Sequence, residues 1–130
     1  MRVNTKIRYG LRTMIEIANS SDGDGILQKD IAVNQNISLK YLDSIIMSLK
    51  LKGLIANNKG KGSGYRLTHP ADQITLLEIY TAFEPVTFVD CIDNNGFCNK
   101  ANACNARDCW RDVKFEFEAI LANKKLSQFL

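Results

Sequence analysis

Four cysteines, Cys91, Cys98, Cys104 and Cys109, fall within one stretch of 19 residues, and the other 111 residues contain none. No other part of the chain concentrates side chains able to do chemistry. Thiolates are soft ligands and nucleophiles, so the stretch points to metal binding or thiol redox chemistry. The spacing, C-x6-C-x5-C-x4-C, lacks the C-x-x-C knuckle of common structural zinc sites. A loop carrying three or four thiolates suits an iron–sulfur cluster, whose irons need four protein ligands in all. The intervening Asn, Gly and Ala residues would let the backbone wrap closely and donate to the sulfurs. Redox-sensing thiols without metal, and zinc, remain open alternatives. Cys109 carries a further one. It stands beside Trp110 in a helical pattern, where a thiol can serve as a small buried hydrophobe.

Other chemistries are absent. His69 is the only histidine; it precedes Pro70 and reads as a turn or surface residue. No Ser-His-Asp arrangement, P-loop or dinucleotide fingerprint occurs, so an enzyme is not expected, nor is a small-molecule substrate. No run of 18 apolar residues exists, which excludes a spanning helix. The start, MRVNTKIRYG, lacks the apolar centre of a secretory signal. The expectation is therefore a cytoplasmic protein, in which structural disulfides are not expected.

The elements that must position these groups follow from periodicity. Ile7, Leu11, Ile15 and Ala18 recur at helical spacing, predicting an amphipathic helix over 6–19 capped by Asn4 or Thr5. After the loop SSDGDG a short helix spans about 27–34, with Ile31 and Ala32 inward. Gln35-Asn36-Ile37 makes a tight turn, and Ser38 caps a second helix. That helix has Leu39, Leu42, Ile45, Ile46 and Leu49 on its apolar face and Gly53 past its end. Two short apolar pieces around NNKGKGSG read as a β-hairpin. Pro70 closes this module. Thr75 to Glu78 forms a capping box opening a helix that Pro85 stops. Residues 86–104 follow neither period. A longer helix resumes from Asn105 to about Ala122, with Trp110, Val113, Phe117, Ile120 and Leu121 on its apolar side. The fold expected is mainly α with a small β-hairpin wing. A winged helix-turn-helix domain over 1–72 forms one compact unit with the cysteine loop and long C-terminal helix of 73–130.

Charge divides along the same line. Residues 1–70 carry eleven Lys/Arg against five Asp/Glu, and 71–130 carry six against nine. A basic half suggests a polyanion partner. Lys40, Tyr41, Asp43, Ser44, Met47, Ser48, Lys50 and Lys52 point outward from the second helix. A helix in the major groove of double-stranded DNA reads base edges from its N-terminal part, while Lys and Arg meet phosphates. Lys59 and Lys61 at the hairpin tip could follow the adjacent minor groove. Asp43 would weaken binding to a polyanion, so its use would be discrimination, accepting from a cytosine amino group. An iron–sulfur carrier or electron-transfer protein, with the winged helix as scaffold, is the alternative from another class.

The sequence resembles the bacterial Rrf-type winged helix-turn-helix transcriptional regulators, which include an iron–sulfur cluster regulator, a nitric-oxide-sensitive repressor and a cysteine-metabolism repressor. The match rests on N-T-K-I-R-Y-G-L at 4–11, I-S-L-K-Y-L at 37–42, G-L-I at 53–55 and G-K-G-S-G-Y-R-L at 60–67. It continues through E-P at 84–85, the cysteine segment and W-R-D at 110–112. The resemblance implies a homodimeric repressor held by the long C-terminal helix, with each recognition helix on half of a palindromic site. It implies DNA contacts at Ser38, Lys40, Tyr41, Asp43 and Ser44, with Lys59 and Lys61 in the wing. Family members often have Ser in place of Lys40, Glu in place of Asp43 and Arg in place of Lys59. The resemblance further implies a 2Fe-2S cluster on Cys91, Cys98 and Cys104. The fourth ligand differs: Arg107 stands where the iron–sulfur regulator has His, and Arg8 where nitric-oxide sensors have Asp. Cys109 is the substitute, with Asp108 or Glu84 behind it. The first cysteine gap is also one residue longer than in that regulator.

Overall fold

The computed structural model describes residues 2–20, 25–60, 63–94 and 104–130. Among the described residues, six helices and one hairpin follow in order: α1 Thr5–Asn19, α2 Gln28–Gln35, α3 Leu39–Lys52, β1 Ile55–Asn57, β2 Tyr65–Leu67, α4 Leu76–Thr81, α5 Asp90–Asp93 and α6 Asn105–Asn123. Single 3₁₀ turns occupy Ala71–Gln73 and Leu126–Phe129.

The expected caps are in place. Asn4 accepts from the Ile7 amide at 2.8 Å, Ser38 from that of Tyr41 at 3.2 Å, and Thr75 from that of Glu78 at 3.1 Å. Each satisfies an amide that the first helical turn leaves without a partner. Asn36 takes φ 54° between α2 and α3, and Gly53 takes φ 82° after α3. Left-handed backbone at Asn36 turns the chain from α2 into α3, and at Gly53 from α3 towards the wing.

The buried face of α1 departs from expectation. Ile7, Gly10, Thr13, Met14 and Ile17 are buried, whereas Leu11, Ile15 and Ala18 lie half-buried at its flank. The core contacts α1 from two sides, so the row between them is the one sealed. On α3, Leu42, Ile45, Ile46 and Leu49 are buried, but Leu39 is 53% exposed at the first turn, beyond the edge of the core. These α3 residues join Met14, Ile17, Ile31, Ile55, Ile74, Ile79 and Leu126 in the main core.

β1 and β2 pair antiparallel with Ile55 opposite Leu67 and Asn57 opposite Tyr65. Ile26, ahead of α2, bonds Tyr65 through both backbone groups at 2.8 and 3.1 Å. This isolated bridge, which periodicity did not reveal, ties the wing to the start of α2.

α4 ends at Thr81, four residues before Pro85, because the chain tightens there: the Phe83 amide donates to the Tyr80 carbonyl at 3.2 Å. A second core gathers Ile7, Tyr80, Val86 and Leu121, with Phe83, Phe88 and Phe117 against it. Phe117 meets Tyr80 and Phe88 edge to face, with ring centroids 6.2 and 5.5 Å away. Burial, and then the Glu84 charge, pushes the Tyr80 phenol above its ordinary value. The end of the chain returns to α4. Leu76 donates to Lys124 at 2.9 Å, and Leu126 donates to Ile74 at 2.9 Å.

The apolar side expected of α6 is split. Leu121 is buried and Phe117 half-buried against α4, but Trp110, Val113 and Ile120 are 45, 37 and 56% exposed. None of the described residues covers these three side chains fully along the 19-residue helix. Among the described residues, no helix is long and apolar enough to cross a membrane.

Candidate nucleic-acid interface and cysteine site

Helix α3 is presented by the elements beneath it. Its apolar face is sealed in the core, and its opposite face carries Leu39, Lys40, Asp43, Met47, Lys50 and Leu51, all exposed. Ser38 uses its hydroxyl as the helix cap. Ser44 turns its hydroxyl onto the Tyr41 carbonyl at 2.8 Å and is half-buried. Tyr41 is also half-buried, its ring edge-on to Tyr9 at 5.7 Å and 88°. The phenol ring therefore joins α1 to α3 as well as facing outward. At the far end of α3, Lys50 donates to Asn57 Oδ1 at 3.2 Å and lies 5.8 Å from the Tyr65 ring centroid. This lysine links the end of α3 to both strands of the wing.

Arg12, Glu16 and Gln35, to which the sequence reading gave no role, hold the turn from below. Arg12 Nε donates to Gln35 Oε1 at 2.9 Å and Nη2 donates to the Gln35 carbonyl. Gln35 Nε2 donates in turn to Glu16 Oε1 at 2.7 Å. The guanidinium also lies 4.9 Å from the Tyr9 ring centroid. Nothing in the spacing of these residues could have paired them, since the partners stand 19 and 23 residues apart.

In the wing, the Lys59 amide donates to Ser63 Oγ at 2.9 Å, and Ser63 donates to the Gly60 carbonyl at 2.6 Å. Gly60 has φ 108°, a conformation other residues rarely adopt. Lys61 lies outside the described residues. His69 is exposed, its Nδ1 2.9 Å from Thr68 Oγ1, which agrees with the turn expected there.

Cys91 lies on α5 and Cys104 directly before α6, both half-buried, while Cys109 is exposed on α6. The alternative of Cys109 as a buried small hydrophobe is thus overturned, because that part of α6 extends past the second core. Cys98 lies outside the described residues. Two contacts pin the Cys91 turn to α6. Arg107 Nε donates to the Cys91 carbonyl at 3.0 Å, and Lys114 Nζ meets Asp93 Oδ1 at 2.7 Å. The other Asp93 oxygen accepts from the Phe88 amide at 2.6 Å. Burial would raise the Asp93 carboxyl, but these hydrogen bonds and the Lys114 charge outweigh it and hold the group below the ordinary carboxylate range. Soft thiol donors at both ends of 95–103 fit a thiophilic metal centre in type. Among the described residues, however, no three His, Cys, Asp or Glu side chains are gathered closely enough to hold an ion.

A sealed three-helix module with an outward helix and an antiparallel hairpin beside it is a winged helix-turn-helix of the kind found in transcriptional regulators. The family profile of Rrf2, described as iron-dependent transcriptional regulators, matches residues 3–130, and the chain belongs to that family. IscR of Cronobacter sakazakii, an HTH-type transcriptional regulator, is 30% identical over 130 residues, covering all of this chain and 80% of the relative. Protein rrf2 of Nitratidesulfovibrio vulgaris is 34% identical over 114 residues, 87% of this chain and 76% of its own. Among solved structures, T. potens IscR superposes with a TM-score of 0.77 at 25% identity, covering 99% of this chain and 85% of that one. CymR, the global cysteine regulator of B. subtilis, gives 0.75 at 27% identity, covering 99 and 95%. The chain is a transcriptional regulator and not an enzyme. Family membership sets aside the carrier and electron-transfer reading.

Proposed function

We propose that the chain is a homodimeric repressor that grips a palindromic DNA duplex. Ser38, Lys40, Tyr41, Asp43 and Ser44 on α3, with Lys59 and Lys61 on the wing, would form the contact surface. The observation that carries this reading is the outward row of α3, linked to the wing by Lys50 and to α1 by Tyr41. The exposed Trp110, Val113 and Ile120 on α6 support a second copy as the cover for that helix. In this reading 1–72 is the DNA-binding part, and 73–130 carries the cysteine segment and the dimer helix.

A 2Fe-2S cluster on Cys91, Cys98 and Cys104, with Cys109 as fourth ligand, would be the sensing group. Such a cluster supplies reversible redox and ligand-loss chemistry when bound. The chain's own part is mechanical. Arg107 and Lys114 couple the Cys91 turn to α6, so a change at the thiols is transmitted to the helix that sets the spacing of the two recognition helices. For a useful switch the two states must differ in DNA affinity by about 1.4 kcal/mol, which is tenfold.

Isolation without air tests the reading, with iron analysis, visible absorption and duplex binding measured against salt. About two irons per subunit, thiolate-to-iron absorption and a steep salt slope are expected. Colourless, iron-free protein with all thiols free overturns the cluster. A second reading, a metal-free thiol switch, is favoured by the similarity to CymR and by the exposure of Cys109. In that case peroxide would change both the thiol count and the DNA affinity of iron-free protein.

A further inference from the structure

Asp43 does not stand alone on the recognition helix. The side-chain amide of Gln28, the first residue of α2, donates through Nε2 to Asp43 Oδ1 and lies 3.5 Å from the Leu39 carbonyl. Both neighbours are acceptors. The amide end between them must therefore be the NH2 group, which fixes the orientation of the glutamine. Asp43 Oδ2 has no hydrogen-bond partner among the described residues and is on the exposed side of α3.

We infer that Gln28 is a positioning residue for base selection, aiming Asp43 so that its free oxygen accepts from the amino group of a cytosine in the major groove. The inference rests on the DNA-binding reading above and deepens it.

Three features support the assignment. The donor is neutral, so it orders the carboxylate without cancelling its charge. A lysine or arginine in its place would cancel the charge, and with it the repulsion from DNA that makes a carboxylate selective. An anion carried to a polyanion costs affinity wherever no base amino group repays it, so the aspartate discriminates mainly by penalising wrong sequences. Second, Lys40 is one turn before Asp43 and Lys50 two turns after it, yet neither forms an ion pair with it among the described residues. The carboxylate is engaged by the amide and not by a neighbouring cation. Third, the residues one turn to either side on the same row, Leu39 and Met47, are 53 and 63% exposed and offer no strong donor or acceptor. They can meet a thymine methyl or a sugar but cannot replace a cytosine amino group. Between α3 and the wing, Gln28, Asp43, Met47, Leu51 and Tyr65 border a groove of about 650 Å³, so the pair lies at the edge of an open surface and not inside packed protein.

Ordering in advance is what the contact would supply. A free aspartate on a helix surface samples several rotamers, and fixing one on binding costs side-chain entropy. Bonded to Gln28, the side chain meets the DNA already aimed, and the difference falls on the one base pair that it reads.

Selection from a randomised duplex library tests this with the full chain as wild type, Gln28→Leu, Asp43→Ala and the double variant. The wild type should require cytosine at one position of each half-site, and Asp43→Ala should lose that requirement. Gln28→Leu should weaken the preference about tenfold at that same position and at no other, and should add nothing in the Asp43→Ala background. Should Gln28→Leu fold poorly, Gln28→Asn, whose amide is too short to span the helices, must give the same single-position loss. A full wild-type preference in a folded Gln28 variant, or loss at a different base pair, overturns the positioning role alone. A wild-type protein that enriches no sequence overturns the DNA-binding reading beneath it.

Discussion

Arg107 donates its Nε–H to the backbone carbonyl of Cys91 at 3.0 Å, a contact between the first turn of α6 and the single turn of α5. A guanidinium carries only donors and cannot serve as a metal ligand, so this residue acts through the backbone that bears the thiol. Together with the Lys114–Asp93 pair it makes the Cys91 turn part of the α6 surface.

Lys114→Met should therefore loosen α5 before it affects α6. Lys114 and Asp93 are 26 and 10% exposed at their side chains, so the carboxylate would be left with the Phe88 and Val89 amides and no cation. A cost of about 1.5–3 kcal/mol is expected for losing a charged, largely buried hydrogen bond. Amide exchange should accelerate at Ile92 and Asp93 while α6 keeps its helical signal. Equal protection in both proteins would contradict the clamp.

Among the thiols, Cys91 and Cys104 should behave alike and Cys109 differently. Replacing either of the first two by Ser should abolish iron binding and visible absorption after anaerobic isolation. Cys109→Ser should reduce iron retention, because it removes the proposed fourth ligand but leaves the other three. If Cys109→Ser holds iron as tightly as the wild type, Asp108 or Glu84 is the better candidate.

Two neighbours on α6 should give opposite phenotypes. Ile120 is 56% exposed and Leu121 only 7%. Ile120→Glu should leave the melting temperature of the monomer fold nearly unchanged and convert a dimer to a monomer by light scattering. Leu121→Ala should cost about 2–5 kcal/mol through a cavity in the second core. A dimer that survives Ile120→Glu and Val113→Glu together would place the interface elsewhere.

Gly10→Ala pits two effects against each other. Alanine in the middle of α1 gains about 1 kcal/mol of helix propensity. Its Cβ, however, would run into the ring of Phe83, and overpacking costs about 1–3 kcal/mol. Overpacking should win, lowering the melting temperature, and Phe83→Leu in the same chain should restore much of the loss. A more stable Gly10→Ala would show that the ring swings aside freely.

Local chemistry was legible in the sequence. Asn4, Ser38, Thr75 and Gly53 end or begin helices because their side chains, or the lack of one, satisfy or release backbone groups within three or four residues. The wing announced itself through apolar pieces around a glycine-rich tip, and the cysteine cluster through composition alone. Those signals need no knowledge of distant residues, and they were enough to define a winged helix-turn-helix and the places where its chemistry lies. Tertiary structure decided the rest. It chose which row of α1 is buried, split the apolar side of α6 between core and surface, stitched Leu126 to Ile74, and exposed Cys109. It also set Gln28 against Asp43, fifteen residues apart. Pairings of this kind depend on how helices cross, and crossing is fixed by the fit of whole packed faces, which no local pattern encodes.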